Sequence, residues 1–283
     1  MMTETRMRGE STWRPRCRVW GGLALTALLL VSAAGCGKGT AATQGSTEAS
    51  RAASPKAPLT PTEKAMERAS KEGKYSFLLF YRPGERASEA MRATFERAKS
   101  KLAAKASFFS VDIAAKAEAG LVGKYDAQRA PLPLTLAIAP NGATVRAFTK
   151  PVDEQALAGA FVSPKTAEIT KALQDKKVVA LCLQGPSTKH NRESKRAAET
   201  FVADRALAGQ GIVIAADPSQ EAELVKRCGL IPPPAEATIV ILVPPGNMVA
   251  TVAGATTKEA LLQKLQSASS GCSSGGCGPS GCK

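Results

Sequence analysis

The sequence predicts an α/β protein made of two tandem copies of one unit, each a central mixed sheet flanked by helices, behind an N-terminal signal peptide and a flexible linker. Three observations predict it. Short, almost continuously apolar runs such as Tyr75–Tyr81 and Val178–Leu183 alternate with stretches whose apolar residues fall at helical spacing. The same order of elements occurs twice, about 100 residues apart. Segments rich in small and polar residues, with no apolar period, bound the pair on both sides. The boundaries are 1–35 for the signal, 36–60 for the linker, 61–163 and 164–268 for the two units, and 269–283 for a Gly/Ser/Cys-rich tail.

At the N-terminus Arg14, Arg16 and Arg18 precede an uncharged, Leu- and Ala-rich stretch from Val19 to Gly35. A basic region, a short apolar region and small residues at the end make a secretory signal, too short to span a bilayer as a helix. The ending Ser32-Ala33-Ala34-Gly35-Cys36 resembles the lipobox of bacterial lipoproteins, with Ala33 where Leu is usual. That resemblance implies cleavage before Cys36 and a lipid (palmitate among its acyl chains) on its thiol. The alternative is an ordinary signal or uncleaved anchor with an incidental cysteine. From Gly37-Lys38 to about Pro61 the composition suits a flexible tether. Cleavage takes away three of the fourteen net positive charges, leaving +11, together with Cys17 and both Trp.

In the first unit a helix starts at Pro61 and runs through Ala69, with Thr60 or Thr62 as its cap. The strand Tyr75–Tyr81 follows, broken by Arg82-Pro83-Gly84. Ser88 to Leu102 places Ala90, Met91, Phe95 and Leu102 on one helical stripe. Next come a strand over Ser107–Asp112, a helix through Ala115–Tyr125, the Pro-containing turn Ala130–Pro133 and a strand over Leu134–Ala139. Asn141-Gly142 turns the chain into the strand Thr144–Phe148, and a helix over Asp153–Phe161 closes the unit.

The second unit repeats the order. A helix over Pro164–Gln174 leads to the strand Val178–Leu183, a polar turn and a helix through Arg192–Ala206. The strand Gly211–Ala216 ends in Asp217, as its counterpart ends in Asp112. A helix over Ser219–Cys228, the run Ile231-Pro232-Pro233-Pro234, strands Thr238–Val243 and Met248–Val252, and a helix over Thr257–Leu265 complete it. Seven elements in the same order twice are not a coincidence of composition.

The stretch Val111-Asp112-Ile113, Lys124-Tyr125, Leu132-Pro133-Leu134 and Pro140-Asn141-Gly142 resembles the thioredoxin family's strand-Asp, helix-Tyr, cis-Pro and strand-turn-Gly sequence. Asp126 stands where the family usually has Gly. Asp217, Arg227-Cys228-Gly229, Pro234 and Pro245-Gly246 follow the pattern less closely. The resemblance implies two tandem thioredoxin-like domains, with Pro133 and Pro234 as candidates for the cis-Pro beside a substrate groove. It also implies a dithiol in the turn after the first long strand, where a helix N-terminus favours a thiolate. Counting from Phe80-Tyr81 puts the two positions at Glu85 and Ser88; from Leu183-Gln184 they fall at Thr188 and Asn191. No sulfur occupies any of the four, so dithiol exchange cannot run there. Ser88 reads as a helix N-cap, as does Asn191 or Thr188, with a polar ligand site the alternative.

With 44% apolar and 22% charged residues the chain is neither a disordered polyelectrolyte nor a multispan membrane protein. Its charge of +14 invites nucleic acid, but Lys and Arg interleave with acids, as in Glu193-Ser194-Lys195-Arg196, rather than cluster with aromatics. His190, the one histidine, reads as a solvated turn residue, with no second His for a common zinc site. Cys182 and Cys228 read as buried structural thiols, with a disulfide between them as the alternative.

Cys272, Cys277 and Cys282 recur every five residues in the tail. They are open to binding copper or zinc, to disulfide chemistry or cross-linking, or to no specific role. No catalytic residue and no firm cofactor is assigned. The leading expectation is a membrane-tethered, redox-inactive binding or scaffold protein of the cell envelope, lipid-anchored and facing the periplasm or exterior. Its partners are the bilayer and polypeptide or another envelope protein, not nucleic acid. The competing expectation is a thiol-disulfide oxidoreductase or metal-handling protein that works through the tail cysteines.

Overall fold

A computed structural model of the chain describes residues 58–270. Cys36 with the signal and most of the linker, and Cys272, Cys277 and Cys282 of the tail, lie outside the described residues. Among the described residues no helix is long and apolar enough to cross a membrane.

Helix α1 (Pro61–Lys71) starts with proline, whose missing N–H costs nothing at a helix's first position. Thr60 Oγ1 accepts from the Glu63 N–H at 3.2 Å, and Glu63 Oε2 accepts from the Thr60 N–H at 3.0 Å, a reciprocal capping box. The first repeat continues with β1 (Tyr75–Tyr81), α2 (Arg86–Leu102), β2 (Ala106–Asp112), α3 (Ala119–Lys124), β3 (Leu134–Ile138), β4 (Thr144–Phe148) and α4 (Glu154–Ala158). The second runs α5 (Pro164–Gln174), β5 (Val178–Leu183), α6 (Asn191–Val202), β6 (Gly211–Ala216), α7 (Ala222–Arg227), β7 (Thr238–Val243), β8 (Asn247–Ala253) and α8 (Lys258–Ser270).

Each repeat forms one four-stranded mixed sheet, in the orders β2-β1-β3-β4 and β6-β5-β7-β8. The first two strands of each are parallel and the other pairings antiparallel. This is the thioredoxin-like arrangement, present twice in tandem. The central strands are apolar throughout because both faces are covered. Leu78 and Phe80 pack on one side with Leu121, Val122 and Leu134, while Phe77 and Leu79 pack on the other with Met91, Phe95 and Leu157. In the second sheet Val179, Leu181 and Leu183 face Leu224 and Val225, and Ala180 and Cys182 face Ala198 and Phe201. At the junction Gln174 makes a two-way bond to the Thr144 backbone, accepting from its N–H at 3.1 Å and donating to its carbonyl at 2.8 Å.

Strand positions agree with the sequence reading to within a residue, whereas several helices are shorter than expected. Asp217 Oδ1 takes the Ser219 N–H and hydroxyl, so a turn precedes α7 and the helix starts at Ala222 rather than Ser219. Asp204 caps a separate 3₁₀ turn over Arg205–Leu207, which ends α6 at Val202. Gly159 caps α4, whose last residue, Ala158, is three short of Phe161. Conversely, α8 extends to Ser270, beyond Leu265.

Candidate functional site

Both sheets present the same turn at the C-terminal end of their first central strand. Pairing registers fix the equivalence: Phe80 lies opposite Val111 and Leu134, and Leu183 opposite Ala216 and Thr238. Phe80 therefore corresponds to Leu183, Glu85 to Thr188 and Ser88 to Asn191. Pro83 and Pro186 then coincide.

At these positions each repeat holds a pair of polar side chains bonded to one another. Ser88, fully buried, donates from Oγ to Glu85 Oε2 at 3.1 Å and accepts the Arg82 N–H at 3.4 Å. In the second repeat Thr188 donates from Oγ1 to Asn191 Oδ1 at 2.6 Å. Asn191 Nδ2 donates to the Gly185 carbonyl at 2.9 Å, and the Gly185 N–H donates to Thr188 Oγ1 at 2.8 Å. Arg82 and Gly185 are equivalent, so both pairs are tied to the same point of the turn. A hydrogen bond spans the three-residue interval that a dithiol would span. It fixes the turn and carries no electrons.

The capping expectations are corrected in detail. The N-cap of α2 is Glu85, with Ser88 already inside the helix. The N-cap of α6 is His190, in the left-handed region at φ 60° and with no side-chain cap bond. Thr188 and Asn191 are spent on each other and on Gly185, and so cap nothing. His190 is an exposed turn residue.

Pro133 is buried and its bond to Leu132 is cis. Pro234 is corrected: the other cis bonds among the described residues are Ile231-Pro232 and Pro244-Pro245. By register the residue matching Pro133 is Ala237, one before β7, and the proline run lies outside the strand. Sequence reasoning missed this substitution, although the missing proline directly before Thr238 was there to read.

Cys182 and Cys228 are free thiols on opposite faces of the second sheet, so the disulfide alternative is ruled out by strand alternation. Burial, reinforced by Glu199 and opposed by Lys195, pushes the Cys182 thiol up to about 12. Burial also raises Cys228. Both are protonated, poor nucleophiles at neutral pH. Among the described residues no three His, Cys, Asp or Glu side chains gather to hold a metal.

The sequence matches no protein-family model and no curated relative. Among solved structures it is similar to the germline-specific thioredoxin Deadhead of Drosophila melanogaster, at 19% identity over 37% of this chain and 94% of that one, TM-score 0.29. It is similar to the first two thioredoxin domains of Saccharomyces cerevisiae Eps1p at 14% identity, covering 74% of this chain and 96% of that one, TM-score 0.28. Human ERp44 in its zinc-bound form matches at 15% identity, over 74% of this chain and 58% of its own, TM-score 0.32.

Proposed function

We propose that the chain is a redox-inactive thioredoxin-like binding or scaffold protein of the cell envelope, held to a membrane by a lipid on Cys36 and facing the periplasm or exterior. One observation carries the first half of that reading. The four positions that would hold the dithiols carry two hydrogen-bonded oxygen pairs, Ser88 with Glu85 and Thr188 with Asn191. The lipid anchor rests on the sequence ending at Cys36 and on the linker behind it. The partner is polypeptide, because a thioredoxin-like sheet without its dithiol keeps main-chain groups at the site end that can pair with an extended chain.

The test uses full chain extracted from membranes and a permanently unfolded probe, reduced and carboxymethylated lysozyme. The expected result is saturable binding that survives Cys272→Ser/Cys277→Ser/Cys282→Ser, together with release from the membrane on Cys36→Ser. Bound copper or zinc, or thiol turnover, that disappears in the triple variant would overturn this reading in favour of tail chemistry.

A further inference from the structure

Each repeat has a second cleft, at the end of its sheet away from the polar turn. It lies between α1 and α3 in the first repeat and between α5 and α7 in the second, beside Ile138 of β3 or Leu242 of β7. Those residues pair with Ser76 and Val179 near the start of β1 and β5, far from the turns that follow these strands. The flanking helices correspond residue for residue. Thr60 and Ser163 are N-caps followed by proline, so Glu63 corresponds to Thr166. Tyr125 and Cys228 cap the C-termini of α3 and α7, their N–H groups donating to the Leu121 and Leu224 carbonyls at 3.3 and 3.0 Å. Lys124 therefore corresponds to Arg227.

The first cleft satisfies itself. The Tyr125 ring stands 5.9 Å from that of Phe80, and the Lys124 ammonium lies 5.6 Å from the Tyr125 ring centroid and 3.2 Å from Glu63 Oε1. Ring, cation and carboxylate all come from the chain. In the second cleft two of the three are gone. Cys228 stands in place of the ring and Thr166 in place of the carboxylate, with Leu183 where the first repeat has Phe80. The cation alone is kept, as Arg227, which is exposed and enters none of the ion pairs among the described residues.

The second cleft has a volume of about 420 Å³, within the range of small-ligand sites. Its apolar walls are Ile169, Leu173, Leu224, Leu242, Pro245 and Met248, and Thr144 of β4 joins them from the first repeat. Met248, 50% exposed, is one of two large apolar side chains so open to solvent among the described residues. Arg227 is the one charged residue that lines the cleft, since the buried Cys228 thiol is neutral. Glu221 and Glu223, the acids of the same segment, line the neighbouring cleft together with Arg146. Glu221 accepts the Ser163 hydroxyl at 2.5 Å, and neither acid pairs with Arg227. Apolar walls with a single cation suit an apolar body carrying one negative charge.

We propose that the second cleft binds a small aromatic carboxylate. Its ring takes the place that Tyr125 fills in the first repeat, and its carboxylate meets Arg227 as Glu63 meets Lys124. The first repeat has no such site, because its own side chains occupy the equivalent positions. The proposal goes beyond the polypeptide-binding reading and does not rest on it.

The experiment titrates the full chain with phenylacetate, phenylacetamide and decanoate by calorimetry, while amide hydrogen exchange places the contact. The expected result is one site, preference for phenylacetate over both other probes, and slower exchange confined to α5, α7 and the turn before β8. Arg227→Gln, a change at an exposed position, weakens phenylacetate about three- to tenfold and brings it level with the amide. Cys228→Tyr/Thr166→Glu rebuilds the ring and carboxylate of the first repeat and abolishes binding. If that variant fails to fold, Arg227→Gln and the amide comparison still decide. Equal affinity for acid and amide, tighter binding of decanoate, or no binding of phenylacetate at millimolar concentration overturns the proposal. Protection confined to other elements overturns it too. Binding of carboxymethylated lysozyme is measured separately, so failure of this proposal and failure of the polypeptide reading are distinguishable.

Discussion

At the residue scale the site is defined by two pairs of hydrogen-bonded oxygens. Ser88 and Glu85, and Thr188 and Asn191, each form one link across the interval of a disulfide. The positions were legible by counting from the strands. The links were not, because they depend on rotamers and on the turn backbone that only the fold brings close. The thiols that remain among the described residues have the opposite character. Cys182 sits among Ala198, Phe201 and Ile239, and its folded pKa of about 12 exceeds its ordinary value of 9.0. The unfolded chain therefore releases the thiol proton first as pH rises. The contribution to stability is complete below about pH 9 and is lost progressively up to about pH 12. Denaturant unfolding between those limits should fall more steeply for the wild type than for Cys182→Ala, by about 1.4 kcal/mol per pH unit at most. Equal slopes would show the thiol to be solvated.

At the element scale the strands were the readable part. Tyr75–Tyr81, Val178–Leu183 and Thr238–Val243 are apolar runs stopped by Arg-Pro-Gly, Gln-Gly-Pro and Pro-Pro-Gly, and the structure places strands over those residues. Helix ends were harder. Asp204 and Asp217 divert the chain through side-chain bonds that compete with the helix, and a hydrophobic stripe carries no trace of that competition. The onset of α6 is set by pairing between Lys189 and a loop far along the chain, which no local signal encodes. The cap of α1 is local and testable. Burial raises the Glu63 pKa, but its bond from the Thr60 N–H and the Lys124 ammonium at 3.2 Å outweigh that and hold the carboxyl below its ordinary 4.5. Stability from this charge is present above about pH 4.5 and is lost as pH falls through the lower folded value. Glu63→Gln keeps the reach of the capping box without the charge. It should cost under about 1 kcal/mol at neutral pH, because the Lys124 partner is exposed, and should flatten the acid limb of the stability profile. An unchanged acid limb would assign that limb to other carboxylates.

At the scale of the whole molecule, duplication was visible in the sequence and divergence was not. The two sheets share strand order and register, and the two turns share a proline and a polar pair. Among their differences, Ala237 stands where Pro133 does, and its N–H donates to the Lys189 carbonyl in a bond that proline cannot make. Of the Lys and Arg behind the net charge of +14, some pair with nearby acids, as Arg97 and Lys101 do with Glu154. The proposal of redox inactivity rests on the hydrogen-bonded oxygen pairs at the two turns. Insulin reduction tests it most directly, using the full chain with Cys17, Cys36, Cys272, Cys277 and Cys282 changed to Ser so that only the two buried thiols remain. The account predicts the rate of dithiothreitol alone. A rate above it, lost when Cys182 or Cys228 is also replaced, would contradict the account.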